Sequence, residues 1–359
     1  MKFRHLNKIS IIKNKYENKK KISKCDKSNP YDIIPFKNIN AKDKYISLFD
    51  FVHTYNDLYY IIYTTNFEEI VFFDIIDNKI VLKIENAHSR IIVTIKHYFD
   101  NNNKRDLLAS YCYKNSIKIW NINIMECITE IDLLSSFSDI LSNSLFFMNL
   151  NNQLFIVAPF VFEKKFEKIA FYDLKGVKMK EIKIKINNHN VFDTNCYYDQ
   201  KAKKNYIFFG GDGYLKSFDV NKNDIYKIYC NNDGIINNQI IIYNDNTKIK
   251  LISAGGGLVR IWNFHTGDLL NQIAVTYNQK YNLPIICIWN SDYLIGACES
   301  YSVKIIDFKN RNIPQTLSGF ENSLDVKKII HPVYGECLLF LLRKGTTNYL
   351  CIGINKRFL

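Results

Sequence analysis

Leu107–Asn121 reads LLASYCYKNSIKIWN, and Leu251–Asn263 reads LISAGGGLVRIWN. Each is an apolar run, a turn of small or polar residues, and an alternating run that ends in Trp-Asn. Alternation with period two around a short turn predicts two antiparallel strands. Two such copies in one chain predict a repeat, and a repeat decides the architecture.

Working outward, weaker copies appear on both sides. Tyr45–His53, Leu58–Thr64, Glu69–Asp74 and Lys79–Ile84 make a four-stranded unit, and Ile91–Lys96, Leu107–Tyr113, Ser116–Trp120 and Glu126–Ile131 make the next. Third strands close on Phe73-Asp74, Trp120-Asn121, Tyr172-Asp173, Phe218-Asp219, Trp262-Asn263 and Ile306-Asp307, at intervals between 44 and 52 residues. One more step of 44 lands on Leu350, inside a last strand-like run. Seven units follow, the seventh lacking its outermost strand. Arg4–Ile12 (RHLNKISII) is the segment expected to supply it. The expectation is therefore an all-β, seven-bladed β-propeller closed by an N-terminal strand. Residues 1–44 form the closing strand and a basic loop, and 45–359 the ring, one domain together with 1–12. An eighth blade hidden in 1–44 is the structural alternative.

Ala87-His88 before the second unit, with Trp120-Asn121 at its third strand, resembles the WD repeat, where Gly-His precedes the first strand and Trp-Asp closes the third. The resemblance spans roughly Tyr45 to Ile352. Asp212, six residues before Phe218, matches the turn Asp of the family pattern, and Gly256 stands at that position in the fifth unit. The resemblance implies a ring used as a protein-interaction scaffold or adaptor. It also implies that the loops before first strands and between second and third strands form the docking face. By register that face presents His88, Arg90, Tyr113, Lys114, Asp212, Tyr214, Glu299, Tyr301 and Phe320. Aromatics mixed with both charge signs suit a protein partner better than a phosphate backbone.

Chemistry-bearing motifs are missing. Gly210–Gly213 and Gly255–Gly257 lack the Lys and helix of a phosphate loop and read as turns. The seven histidines form no H-E-x-x-H set, and no G-x-S-x-G pentad occurs. Nine cysteines stand singly with no C-x-x-C pair, which fits a reducing compartment rather than disulfides or zinc. No cofactor, no metal site and no catalysis are expected. The F-R-R-G motif of phosphoinositide-binding propellers is absent. The Arg of cullin-type ubiquitin-ligase receptors is replaced by Asn123, Asn221, His265 and Lys309.

Composition is that of a globular protein, with 47% apolar and 23% charged residues. Formal net charge is +13, but 13 Lys/Arg against 4 Asp/Glu lie at or before Lys44. The densest part, Lys13–Lys27 (KNKYENKKKISKCDK), reads as a solvated loop. The alternative function is a module that meets nucleic acid or an acidic membrane through these lysines. No run of membrane-spanning length and no secretory leader is apparent, and a basic mitochondrial presequence is the alternative reading of the N-terminus. On the scaffold reading the expected partners are proteins, and the expected place is the cytoplasm, with the nucleus as the alternative.

Overall fold

The computed structural model describes residues 33–39, 46–65, 68–113, 116–133, 139–140, 145–162, 166–185, 191–236, 239–244, 248–275, 285–290, 292–297, 302–317, 319–320 and 323–355. All regular structure in them is β. Strand β1 (Ile33–Ile39) stands apart from its neighbours in sequence. The first blade is β2 (Ile46–His53), β3 (Tyr59–Thr65), β4 (Glu69–Asp74) and β5 (Lys79–Ile84). The second is β6 (Ile92–Asp100), β7 (Arg105–Cys112), β8 (Ser116–Asn121) and β9 (Glu126–Asp132). In the third, the inner strand is split into β10 (Asp139–Ile140) and β11 (Phe146–Leu150). Both pair with β12 (Gln153–Phe162), which is followed by β13 (Phe166–Tyr172) and β14 (Lys178–Lys185).

The fourth blade is β15 (Val191–Asp199), β16 (Lys204–Asp219) and β17 (Asp224–Ile236). The long β16 folds back near Gly213, whose φ is +75°. Its two arms serve as second and third strands, with Val220 N–H donating to Asn205 O at 3.0 Å. Blade five is β18 (Gln239–Asn244), β19 (Ile249–Gly255), β20 (Leu258–Asn263) and β21 (Leu269–Ala274). Blade six is β22 (Ile285–Ile288), β23 (Tyr293–Ala297), β24 (Val303–Asp307) and β25 (Asn312–Leu317). The seventh is β26 (Ser323–His331), β27 (Gly335–Lys344), β28 (Thr347–Asn355) and, outermost, β1.

The ring thus closes with seven blades and an N-terminal strand, but the closing strand is a correction to the sequence reading. Arg4–Ile12 lies outside the described residues. Ile33–Ile39, inside the stretch read as a loop, pairs antiparallel with β28 from Ile33↔Asn355 to Ile39↔Leu350. Pro35 lies within this strand, opposite Gly353. On an outermost strand a proline costs no ladder bond on the open edge. Ile33 and Ile39, both 2% exposed, bury on the two opposite seams of blade seven.

The core is not one mass. Seven buried clusters of described residues lie one per seam between adjacent blades. Each middle strand is apolar on both faces because each face meets a neighbour. In β4, for example, Ile70 and Phe72 face blade two while Val71 and Phe73 face blade seven.

One hairpin recurs in blades one to six. The residue that ends the third strand is Asp74, Asn121, Asp219, Asn263 or Asp307, and in blade three Asp173 directly after the strand takes the place. In each case its Oδ1 accepts a backbone N–H two residues on, at 2.8–3.0 Å. A left-handed residue follows just before the outer strand: Asn78, Met125, Gly176, Asn223, Gly267 or Arg311. A β-bulge sits beside the closing residue in all six. A short side-chain acceptor that mimics a turn, then a positive φ, is what a bulged four-residue hairpin needs. Blade seven has Cys351 at this step, because its chain runs straight on and the outer strand comes from elsewhere.

Three substitutions test these statements. Ile39→Ala should cost about 2–5 kcal/mol by opening a cavity in the closing seam, read by urea unfolding. Gly267→Ala should cost about 1 kcal/mol or more, since φ is +85° and a Cβ would stand 2.9 Å from Lys227 Cδ. Arg311→Gly at the equivalent turn should not destabilise.

Candidate functional site: the loop face and the channel

The antiparallel order sends the loops before first strands, and those between second and third strands, to one rim of the ring. Of the residues expected there, Arg90 is exposed and Tyr113 is 41% exposed. They stand together, because Tyr113 N–H donates to Ile91 O at 2.9 Å, and Ile91 itself is 47% exposed. Lys114, Glu299 and Tyr301 lie outside the described residues. Asp212 is placed by its backbone alone, paired with Ile236.

Three expected face residues present no side chain to solvent. Tyr214 is 1% exposed in the seam between blades three and four, with Lys216 Nζ 5.5 Å from its ring centroid. Phe320 is fully buried, 4.1 Å from the Phe340 ring and packed against Gly353. A large ring next to an open seam gains more from burial than from solvent. His88 is 2% exposed.

The burial of His88 has a purpose visible in its bonds. Its Nε2 lies 2.7 Å from Ser110 Oγ, and Trp120 Nε1–H donates to that same oxygen at 2.8 Å. Ser110 Oγ thus accepts from Trp120 and shares a second hydrogen bond with His88 Nε2, a hydroxyl having one hydrogen and two lone pairs for the purpose. On the other side of the ring, Nδ1 lies 3.4 Å from Ser116 Oγ. Burial first, and then the charge of Lys118, push the His88 pKa down to about 3, which keeps the ring neutral. Blade five repeats half of this node, with Trp262 Nε1–H donating to Ser253 Oγ at 3.0 Å. Trp120 and Trp262 are 6% and 4% exposed, each packed in a seam between blades. Neither serine stood out in the sequence reading, although both sit in the quoted stretches at the same step of the second strand.

The inner strands carry a second polar arrangement. Asp50 of β2, Lys96 of β6, Asp193 of β15, and Asp325 and Lys327 of β26 act on one another's ionisation. All five stand on the innermost strands of blades one, two, four and seven, the strands that border the central channel. Lys327 Nζ donates to Asp50 Oδ1 at 3.0 Å and to Phe49 O at 2.7 Å. Burial pushes the Asp50 pKa up, but Lys327 and Lys96 outweigh it and the net shift is downward. Asp193 is pushed up by burial to about 7, even though its Oδ2 accepts Ile240 N–H at 2.7 Å. Asp325 is likewise pushed by burial to about 6.

These groups stitch blades together. Asp193 bonds the inner strand of blade five, and Gln239 bonds Ile286 N–H (2.6 Å) and O (3.0 Å) on blade six. Among the described residues, no three His, Cys, Asp or Glu side chains converge as a metal site, and no helix is long and apolar enough to cross a membrane. The chain matches no family model, and no curated protein matches it in sequence.

The His88 node makes a pH prediction. The folded pKa lies below the ordinary value of 6.5, so His88 contributes its full stability above about pH 6.5 and loses it as pH falls toward 3. Melting temperatures of wild type and His88→Gln should converge as pH drops from 7 to 4. A gap that stays constant would refute the buried neutral ring.

Proposed function

We propose that the chain is a non-catalytic protein-interaction scaffold or adaptor of the WD-repeat type, working in the cytoplasm or nucleus. One observation carries the reading. An exposed patch of Arg90, Ile91 and Tyr113 stands on a rim held rigid from beneath by the buried His88–Ser110–Trp120 node. Arg and Tyr are enriched among residues that dominate protein interfaces, and a pre-ordered base spares the entropy of arranging them. The WD-repeat assignment is supported by the same node, which joins the Ala87-His88 loop to Trp120, and by the Asp/Asn that closes six third strands. The non-catalytic reading is supported in the channel, where Asp50, Asp193 and Lys327 are engaged in inter-blade bonds.

The test is affinity purification with wild type and an Arg90→Glu/Tyr113→Ala variant, beside a melting curve for each. Partners should be lost while the melting temperature holds. An unchanged partner list refutes this face. Recovery of nucleic acid or anionic vesicles with steep salt dependence would favour the second reading, carried by the lysines of Lys13–Lys27.

A further inference from the structure

The seam where the ring closes leaves a cleft of about 210 Å³. It opens beside the first-to-second-strand turn of blade seven (His331–Tyr334) and the third-to-fourth-strand turn of blade one (Ile75–Asn78). These turns lie at the rim opposite Arg90 and Tyr113. Phe73, Ile75 and Ile352 make an apolar floor. Phe36, 38% exposed, and Tyr334 make one wall, their rings edge to face at 4.8 Å.

Size narrows the ligand. Small-molecule and cofactor pockets run to about 300–1,000 Å³, so 210 Å³ suits one large side chain. Charge narrows it further. The lining holds Lys37 and no carboxylate. Among the described residues no acidic group pairs with Lys37. His331 adds no charge at neutral pH. Its Nδ1 accepts the N–H groups of Val333 (3.1 Å) and Tyr334 (3.3 Å), and burial and then Lys37 push its pKa down to about 4. In the sequence, Lys37 follows shortly after the Lys13–Lys27 run, which has seven lysines against Glu17 and Asp26. An apolar slot whose lining carries a lysine and no carboxylate, on the strand that follows a cationic segment in the sequence, complements an apolar anchor flanked by carboxylates.

We infer that this cleft is a second docking site, which takes one aromatic or large aliphatic side chain from an acidic linear segment of a partner protein. The site exists because β1 closes the ring there, and it does not depend on the Arg90–Tyr113 face.

The experiment uses the full chain and two labelled peptides, Glu-Glu-Asp-Phe-Asp-Glu-Glu and the same sequence with Ala for Phe, followed by fluorescence anisotropy at 0.15 M salt. The Phe peptide should bind about tenfold or more tightly than the Ala peptide, the size expected of one buried anchor. Tyr334→Ala should abolish that preference. Lys37→Glu, a change at a partly exposed edge position, should weaken the Phe peptide and leave the melting curve in place. Lys19/Lys20/Lys21→Glu should weaken both peptides alike and keep the preference. The Arg90→Glu/Tyr113→Ala variant should bind as wild type does, which separates this site from the loop face. Equal binding of the two peptides, no binding of either, or a preference that survives both Tyr334→Ala and Lys37→Glu overturns the proposal.

Discussion

Everything in this molecule depends on the pairing of β1 with β28. Each blade is apolar on both faces, so no blade is satisfied by one neighbour. A row of seven would leave two faces, and the Asn355–Leu350 edge, open to water. Pairing Ile33–Ile39 with that edge removes both costs at once. It also seats Ile39 in the seam between blades seven and one and Ile33 in the seam between six and seven. Closure thereby converts a repeat with two exposed ends into an edge-protected ring.

The seams are apolar in their bulk and polar where they meet the axis. There the inner strands stand close enough for a side chain of one to bond the backbone of the next, as Asp193 does to Ile240 and Gln239 to Ile286. Such bonds fix one blade's height against its neighbour, which non-directional burial does not. Lys327 closes the same pattern from blade seven to Phe49 of blade one. The charges in the channel follow from this. They are groups whose bonds to backbone or to one another offset the cost of leaving water.

The sequence showed the strands and period clearly, because alternation and turn residues are local. It gave six closing dipeptides correctly, but weighted their aromatic member. The structure gives equal place to the Asp or Asn beside it, which accepts the turn N–H in blades whose aromatic is Phe, Tyr or replaced by Ile306. What could not be read was non-local. Nothing in IIPFKNI announces a partner at the other end of the chain. Ser110 and Ser253 looked like ordinary strand residues until Trp120 and Trp262 were seen to donate to them. Tyr214 and Phe320 were placed on the docking face by register, whereas packing of neighbouring blades decided their orientation.

The order of β1 and β28 along the chain has a consequence for biosynthesis. A ribosome makes Ile33–Ile39 before any blade and Thr347–Asn355 after nearly all of them, so among the described strands the clasp is made early and paired late. Blades one to six bring their own four strands and can assemble as they emerge, whereas the ring stays an open arc until the far end arrives. During that wait the seam faces of blade one, including Val71 and Phe73, have no partner. The nascent chain is therefore most exposed to chaperones, and to mispairing with another copy, on the side that later becomes its closed joint.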